Sequence, residues 1–202
     1  DTHLPPAFEW LKKTGARLCH YKVCSTFDSA PHVGSIGRAI DIGQQVFPAP
    51  YVPTLAGAPS LGRYTLFANL FAATGPKVHR IDRHPVMSRH PVTPMDEGDL
   101  CAHLGRQTSK RIASFDIRSL LAPDVERRFA LLLEQRPDIV LFDVLGESSL
   151  EKVGHLLWRH APAAQSFVAG SAGVEYALVE HWRKTGELPG REEPREAEEV
   201  DR

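Results

Sequence analysis

The sequence predicts an α/β fold, a mostly parallel sheet flanked by helices, with an irregular Pro-rich insertion. Short apolar runs such as Ile139-Val-Leu-Phe142 and Ser166-Phe-Val-Ala169 have the length of buried strands, and each is followed by a segment of helical periodicity. That strand-then-helix order recurs along the chain, which points to a parallel sheet. The 202 residues are 42% hydrophobic and 24% charged, ordinary proportions for one globular domain with a short appendage.

Taken in order, Arg17 to Cys24 reads as a strand and Ser35 to Gln45 as a helix. Residues 46–95 hold eight prolines and several aromatic residues but little helical periodicity, so they are expected to form an extended insertion with short strands. A long irregular stretch inside a compact domain usually serves a function. Arg111 to Asp116 reads as a further strand. Pro123 to Gln135 reads as a helix with Val125, Phe129, Leu132 and Leu133 on its apolar stripe. Ser148-Ser-Leu-Glu151 has the pattern of a capping box opening a helix that carries Leu150, Val153 and Leu157 on one face. After the Ser166 strand, Ala169-Gly-Ser-Ala-Gly173 turns into a helix bearing Val174, Ala177, Leu178 and Trp182. Trp10, Trp158 and Trp182 fall on helical patterns and are expected in the core. From Gly186 onward seven acidic and three basic residues fill seventeen positions, so the domain is expected over 1–185 and a disordered acidic tail over 186–202.

Charge excludes some functions. With 24 Lys+Arg against 25 Asp+Glu the formal net charge is −1, which opposes a strongly basic nucleic-acid binder. The longest apolar runs fall far short of the ~20 residues of a membrane span, so no membrane partner is expected. Cys19, Cys24 and Cys101 have no CxxC spacing and form no even-numbered framework, which favours a reduced, cytoplasmic setting. Asp1 to Pro6 lacks the basic start and apolar stretch of a signal peptide.

Three segments share a turn of small residues or proline leading toward a helix N-terminus, where unpaired N–H groups and the macrodipole attract anions. The first is Lys22-Val-Cys-Ser-Thr-Phe-Asp-Ser29 with Gly34-Ser-Ile-Gly37, which by spacing alone reads more simply as a hydroxyl-capped strand–helix loop. The second is Arg89-His-Pro-Val-Thr-Pro-Met95, in which Thr93 can cap a helix with Pro94 at its first position; Arg89 and His90 add a cation and a tunable donor. The third is Gly170-Ser171. It is not a hydrolase elbow, because Ala169 stands where that motif needs Gly and the next histidine, His181, is on the following helix. Asp116 and Asp143 close strands whose ends would line a ligand crevice, as hydroxyl acceptors or as helix caps. His79, Asp82, His84 and His90 fit no standard zinc spacing, and neither GxxxxGK nor GxGxxG occurs.

Together these segments resemble a known family. Tyr21-Lys-Val-Cys-Ser-Thr-Phe-Asp-Ser29 with Gly34-Ser-Ile-Gly37, then Gly62-Arg63 leading to Asn69-Leu-Phe71, His90-Pro-Val-Thr-Pro-Met95 with Asp99-Leu100, and Gly170-Ser171 are similar in order and spacing to the four-carbon acid sugar kinases. The similarity runs from about residue 7 to 184 and covers the family's N-terminal, sugar-acid-binding α/β domain. It implies ATP-dependent phosphorylation of a threonate, an erythronate or a 3-oxo-tetronate, in a cleft shared with a nucleotide-binding domain that would hold ATP and Mg. By motif, Lys22, Ser25, Thr26, Asp28 and Ser29 with Gly34, Ser35 and Gly37 would line the acid pocket, Arg89, His90 and Thr93 would add contacts, and Gly170 and Ser171 would close the rim.

The family's Asp-Asp-x-Thr-Gly-Ala motif does not occur in this sequence, its Gly-Asn-Ile-Gly appears as Gly34-Ser35-Ile36-Gly37, and the usual His before Leu-Phe is Asn69. The chain is therefore expected to bind the sugar acid and to be inactive without a separate nucleotide-binding domain. The other readings are a stand-alone, non-catalytic acid-binding or regulatory module, and an interaction protein working through its acidic tail. An exposed sheet edge makes a homodimer a further expectation.

Overall fold

A computed structural model describes residues 2–161 and 165–188. Helix α1 (Leu4–Lys12) precedes β1 (Leu18–Lys22), α2 (Ile36–Val46) and β2 (Val52–Leu55). A small antiparallel sheet follows, made of β3 (Arg63–Leu66), β4 (Asn69–Thr74) and β5 (Lys77–Arg80). The second half runs α3 (Leu100–Gly105), β6 (Ile112–Phe115), α4 (Ile117–Leu121), α5 (Val125–Glu134), β7 (Ile139–Phe142), α6 (Glu147–His160), β8 (Ser166–Gly170) and α7 (Gly173–Thr185). The five long-range strands form one parallel sheet in the order β1-β8-β2-β7-β6. This is the expected α/β fold with a parallel sheet flanked by helices.

Both faces of the sheet are covered, so its inner strands are apolar throughout: every residue of β2, β7 and β8 is buried. On one face Phe167, Leu141 and Ile139 pack with Phe8, Ile40 and Phe47 of the α1–α2 side. On the other, Val168, Val140 and Phe142 pack with Phe129, Val153, Leu157 and Ala177. Helices α6 and α7 approach closely because position 154 is glycine; a Cβ there would lie 1.9 Å from the Ala177 carbonyl oxygen.

Several local expectations need correction. Residues 52–55 lie in the segment read as irregular, yet they form the central strand. Pro53 disguises it, and its missing N–H is tolerated because pairing with β8 begins only at Thr54. The rest of that segment is extended, as expected, in the form of the β3–β5 sheet. Helix α6 begins at Glu147, not at a Ser148 cap. The Ser149 hydroxyl instead accepts from the Leu145 and Gly146 N–H groups at 2.9 and 3.0 Å, and Glu151 pairs with Lys184 at 2.9 Å. Trp10 is exposed on α1 rather than in the core, whereas Trp158 and Trp182 meet edge to face at 5.2 Å. Helix α7 ends at Thr185 with Gly186 left-handed at φ +77°, and residues 189–202 of the expected tail lie outside the described residues. Among the described residues no helix is long and apolar enough to cross a membrane.

Candidate functional site

The loop after β1 turns sharply at Phe27, a non-glycine residue with φ +56° whose ring is fully buried. That left-handed turn sets Asp28 between two hydroxyls from distant parts of the chain. Thr26 Oγ1 donates to Asp28 Oδ1 at 2.5 Å, and Thr93 Oγ1 donates to Asp28 Oδ2 at 3.0 Å. Both threonines are buried, while Asp28 is half-buried.

Thr93 also fixes His90. Its backbone N–H donates to His90 Nδ1 at 3.0 Å. An N–H can only donate, so Nδ1 is the acceptor and the neutral ring carries its proton on Nε2, which leaves Nε2–H as the ring's donor. The expected helix cap at Thr93 does not form. Helix α3 is capped by Asp99, which accepts from Cys101 and Ala102 at 2.8 and 3.2 Å. Released from capping, Thr93 serves Asp28 and His90. The segment preceding it is pinned by buried His84, whose Nδ1 accepts from the Val86 and Met87 N–H groups at 3.2 Å each.

A second polar group lies beside Asp28. Ser29 Oγ is 2.8 Å from His103 Nε2 and accepts from Gln107 Nε2 at 2.8 Å. Gln107 Oε1 accepts from the Gly37 N–H at 3.1 Å and from Ser35 Oγ at 3.3 Å. Ser35 is the N-cap of α2, accepting from the Arg38 N–H at 3.1 Å. The N-terminus of α2 therefore spends two of its N–H groups on protein acceptors, which leaves less of it for an anion than the bare sequence pattern implies. Gly34, just before the cap, is left-handed at φ +61°. Burial holds the His103 pKa below its ordinary value, with the nearby Arg106 charge acting in the same direction. A cleft of about 350 Å³ separates the Ser29–His32 turn from Val92, Pro94 and Asp96, with His103 and Gln107 in its wall.

The remaining sequence-derived residues are placed as follows. Lys22 ends β1 and is exposed, Ser25 is half-buried in the loop beyond it, and Arg89 is exposed directly before His90. None of their side chains is bonded to the Asp28 group, whose partners are Thr26 and Thr93. Gly170 pairs with Lys22 across the β1–β8 ladder, and its carbonyl accepts from the Val23 N–H at 2.7 Å. Ser171 is wholly buried and its hydroxyl accepts from the Gly173 N–H at 3.0 Å.

Asp116 and Asp143 act as backbone acceptors. Asp116 caps α4 by accepting from the Ser119 N–H at 2.8 Å. Asp143 is fully buried and accepts from the N–H groups of Phe67, Ala68 and Ile117 at 2.5, 3.0 and 3.0 Å. Burial raises its pKa, against the pull of those donors. His103 and Gln107 were missed from sequence: their contribution depends on α3 folding back against the β1 loop, and a single Gln carries no motif.

The fold and these contacts define a doubly wound α/β domain that gathers hydroxyl, carboxylate and imidazole groups beyond the C-terminal end of β1, as small-ligand-binding domains of this class do. Residues 1–178 match the family model of the sugar-binding N-terminal domain, and the chain belongs to that family, within the four-carbon acid sugar kinases. It is 50% identical over 189 residues to a 3-oxo-isoapionate kinase of Paraburkholderia graminis, covering 94% of this chain and 40% of that protein. A 3-oxo-tetronate kinase of Burkholderia multivorans is 30% identical over 188 residues, covering 92% of this chain and 41% of the relative. The fold also matches that of a solved Haemophilus influenzae protein with a TM-score of 0.78 at 22% identity, covering 91% of this chain and 42% of that one. The chain thus spans about two-fifths of the length of these relatives.

Proposed function

We propose that this chain provides the acceptor-binding part of an ATP-dependent kinase of small sugar acids, over a domain of residues 1–185. The observation that carries the reading is the meeting of two signature segments at one carboxylate, Thr26 and Thr93 both donating to Asp28 with His90 alongside. Hydroxyl protons can swing from Asp28 to a ligand oxygen, which frees the carboxylate to accept from a substrate hydroxyl. His90 Nε2–H donates to a substrate oxygen, and the exposed cations Lys22 and Arg89 offer charge for its carboxylate. Ser25, Ser29, Gly34, Ser35, Gly37, Gly170 and Ser171 shape and support this pocket.

The 50% identity to the 3-oxo-isoapionate kinase, against 30% to a 3-oxo-tetronate kinase, supports a 3-oxo sugar acid as the ligand, and 3-oxo-isoapionate ahead of the threonate and erythronate class. Among the described residues no three His, Cys, Asp or Glu side chains group to hold a metal ion. The residues of the Asp28 group are assigned to the acceptor, and Mg–ATP to the rest of the kinase. The chemistry they supply is binding and orienting the acceptor hydroxyl, the part of phosphoryl transfer that depends on position. ATP, Mg and a nucleotide-binding domain belong to the whole kinase, and the setting is cytoplasmic.

Calorimetric titration of the chain with 3-oxo-isoapionate, 3-oxo-tetronate, threonate and erythronate, with acetate and phosphate as controls, tests the reading. Saturable binding of one sugar acid, with neither control competing, is expected. Equal weak binding of all six anions would overturn it.

A further inference from the structure

We propose that Gln107 is the positioning residue of the Asp28 pocket, holding the left-handed turn that aims Asp28 at Thr26 and Thr93. The inference rests on the acid-binding reading above and extends it to a residue that bonds to none of Thr26, Asp28, His90 and Thr93.

The orientation of the Gln107 amide follows from its partners. The Gly37 backbone N–H can only donate, so the amide atom it meets at 3.1 Å is the oxygen, and Ser35 Oγ approaches the same atom at 3.3 Å. The amide NH2 then faces Ser29 Oγ at 2.8 Å, to which it donates, with His103 Nε2 3.0 Å away. Ser29 accepts this bond and directs its own proton to the Phe27 carbonyl at 3.1 Å. Phe27 is the residue held at φ +56°, a conformation that L side chains avoid unless their surroundings enforce it. The chain of contacts thus runs from Gln107 through Ser29 to the Phe27 peptide, and the next side chain along is Asp28.

Two further features fit this arrangement. Because the one Ser29 proton goes to Phe27, the 2.8 Å contact between Ser29 Oγ and His103 Nε2 is a hydrogen bond only with the ring proton on Nε2 donating to Ser29, which leaves buried Nδ1 an unprotonated acceptor with no partner among the described residues. The ring tolerates that orphan because its other nitrogen is committed to Ser29. Gly37 permits the contact: a Cβ at that position would lie 2.7 Å from the Gln107 Cβ. Gln107 therefore joins the Gly34–Gly37 turn to the Thr26–Ser29 turn, two segments that share no direct side-chain bond of their own.

The test uses the full chain and two variants, Gln107→Leu and Gln107→Glu, each checked by thermal melting, titrated with 3-oxo-isoapionate and 3-oxo-tetronate. Gln107→Leu should weaken binding about tenfold, the size of one lost buried hydrogen bond. Gln107→Glu keeps the acceptor for Gly37 but has no donor for Ser29, so it should also lose affinity while melting close to the parent. Combining Gln107→Leu with Asp28→Ala should bind no more weakly than Asp28→Ala alone, because Gln107 acts through Asp28. Ring nitrogen shifts in NMR should show the Nε2–H tautomer of His103 in the parent. Parent-like affinity in both variants, or losses additive with Asp28→Ala, would overturn the inference while leaving acid binding intact. A parent chain that binds neither acid would overturn the reading and this inference together.

Discussion

Asp28 and Asp143 are two carboxylates beyond strand ends of one sheet, and they are held in opposite ways. Asp143 is fully buried and accepts three backbone N–H groups, from Phe67, Ala68 and Ile117. Backbone donors cannot turn away, so Asp143 welds the β3–β4 turn to the start of α4 and has little left to offer a ligand. Asp28 is half-buried and accepts from two threonine hydroxyls, each able to rotate about one bond. The difference separates an acid that builds the fold from one that can exchange partners, although both sit where an open α/β sheet places its ligands.

The largest expected effect breaks the structural side of this comparison. Asp143→Ala strands buried donors and should cost on the order of 3 kcal/mol of stability in a denaturant titration, with sugar-acid affinity retained in the folded fraction. Asp28→Ala should show the reverse pattern, a stability loss of about 1 kcal/mol or less and an affinity loss greater than about tenfold by calorimetry.

Acid should act on the two regions with opposite sign. Burial lowers the pKa of His103, and likewise of His84 and His181, so the unfolded chain binds more protons than the folded one below the ordinary histidine value of 6.5. Stability carried by the neutral rings is present above that value and is lost as pH falls below it. The Asp143 carboxyl is shifted up by burial, so the folded state gains relative to the unfolded one as that group protonates at lower pH. Melting temperatures measured from pH 7 to pH 4 should therefore fall less steeply below 6.5 in His103→Asn. In Asp143→Asn the partial recovery at the acid end should be absent. The smallest effect belongs to Asp116→Ala, which removes one helix cap and should cost about 1 kcal/mol without changing affinity.

Much of this was legible in the sequence, for physical reasons that particular residues illustrate. Ile139–Phe142 and Ser166–Gly170 are buried on both faces and so read as plain apolar runs. Val52–Leu55 is equally buried, but a proline in a four-residue strand reads as a breaker, and only the late start of its pairing with β8 makes it tolerable. The motif segments around Asp28 and His90 were legible as signatures, and the structure brings Thr26, Asp28, His90 and Thr93 into contact. The Thr93 cap failed because Asp99, six residues on, competes for the same role and lies directly before the helix. His103 and Gln107 were invisible, since their meaning arises only when α3 packs against the β1 loop.

The most direct test of the central claim is an amide NMR titration of the chain with 3-oxo-isoapionate. Shifts confined to the amides of Thr26–Ser29, His90 and Thr93, with Ala68 and Ile117 unmoved, are the expected result. Shifts centred on Ala68 and Ile117 would contradict it, because they would place the ligand at Asp143, where the fold has already used the carboxylate.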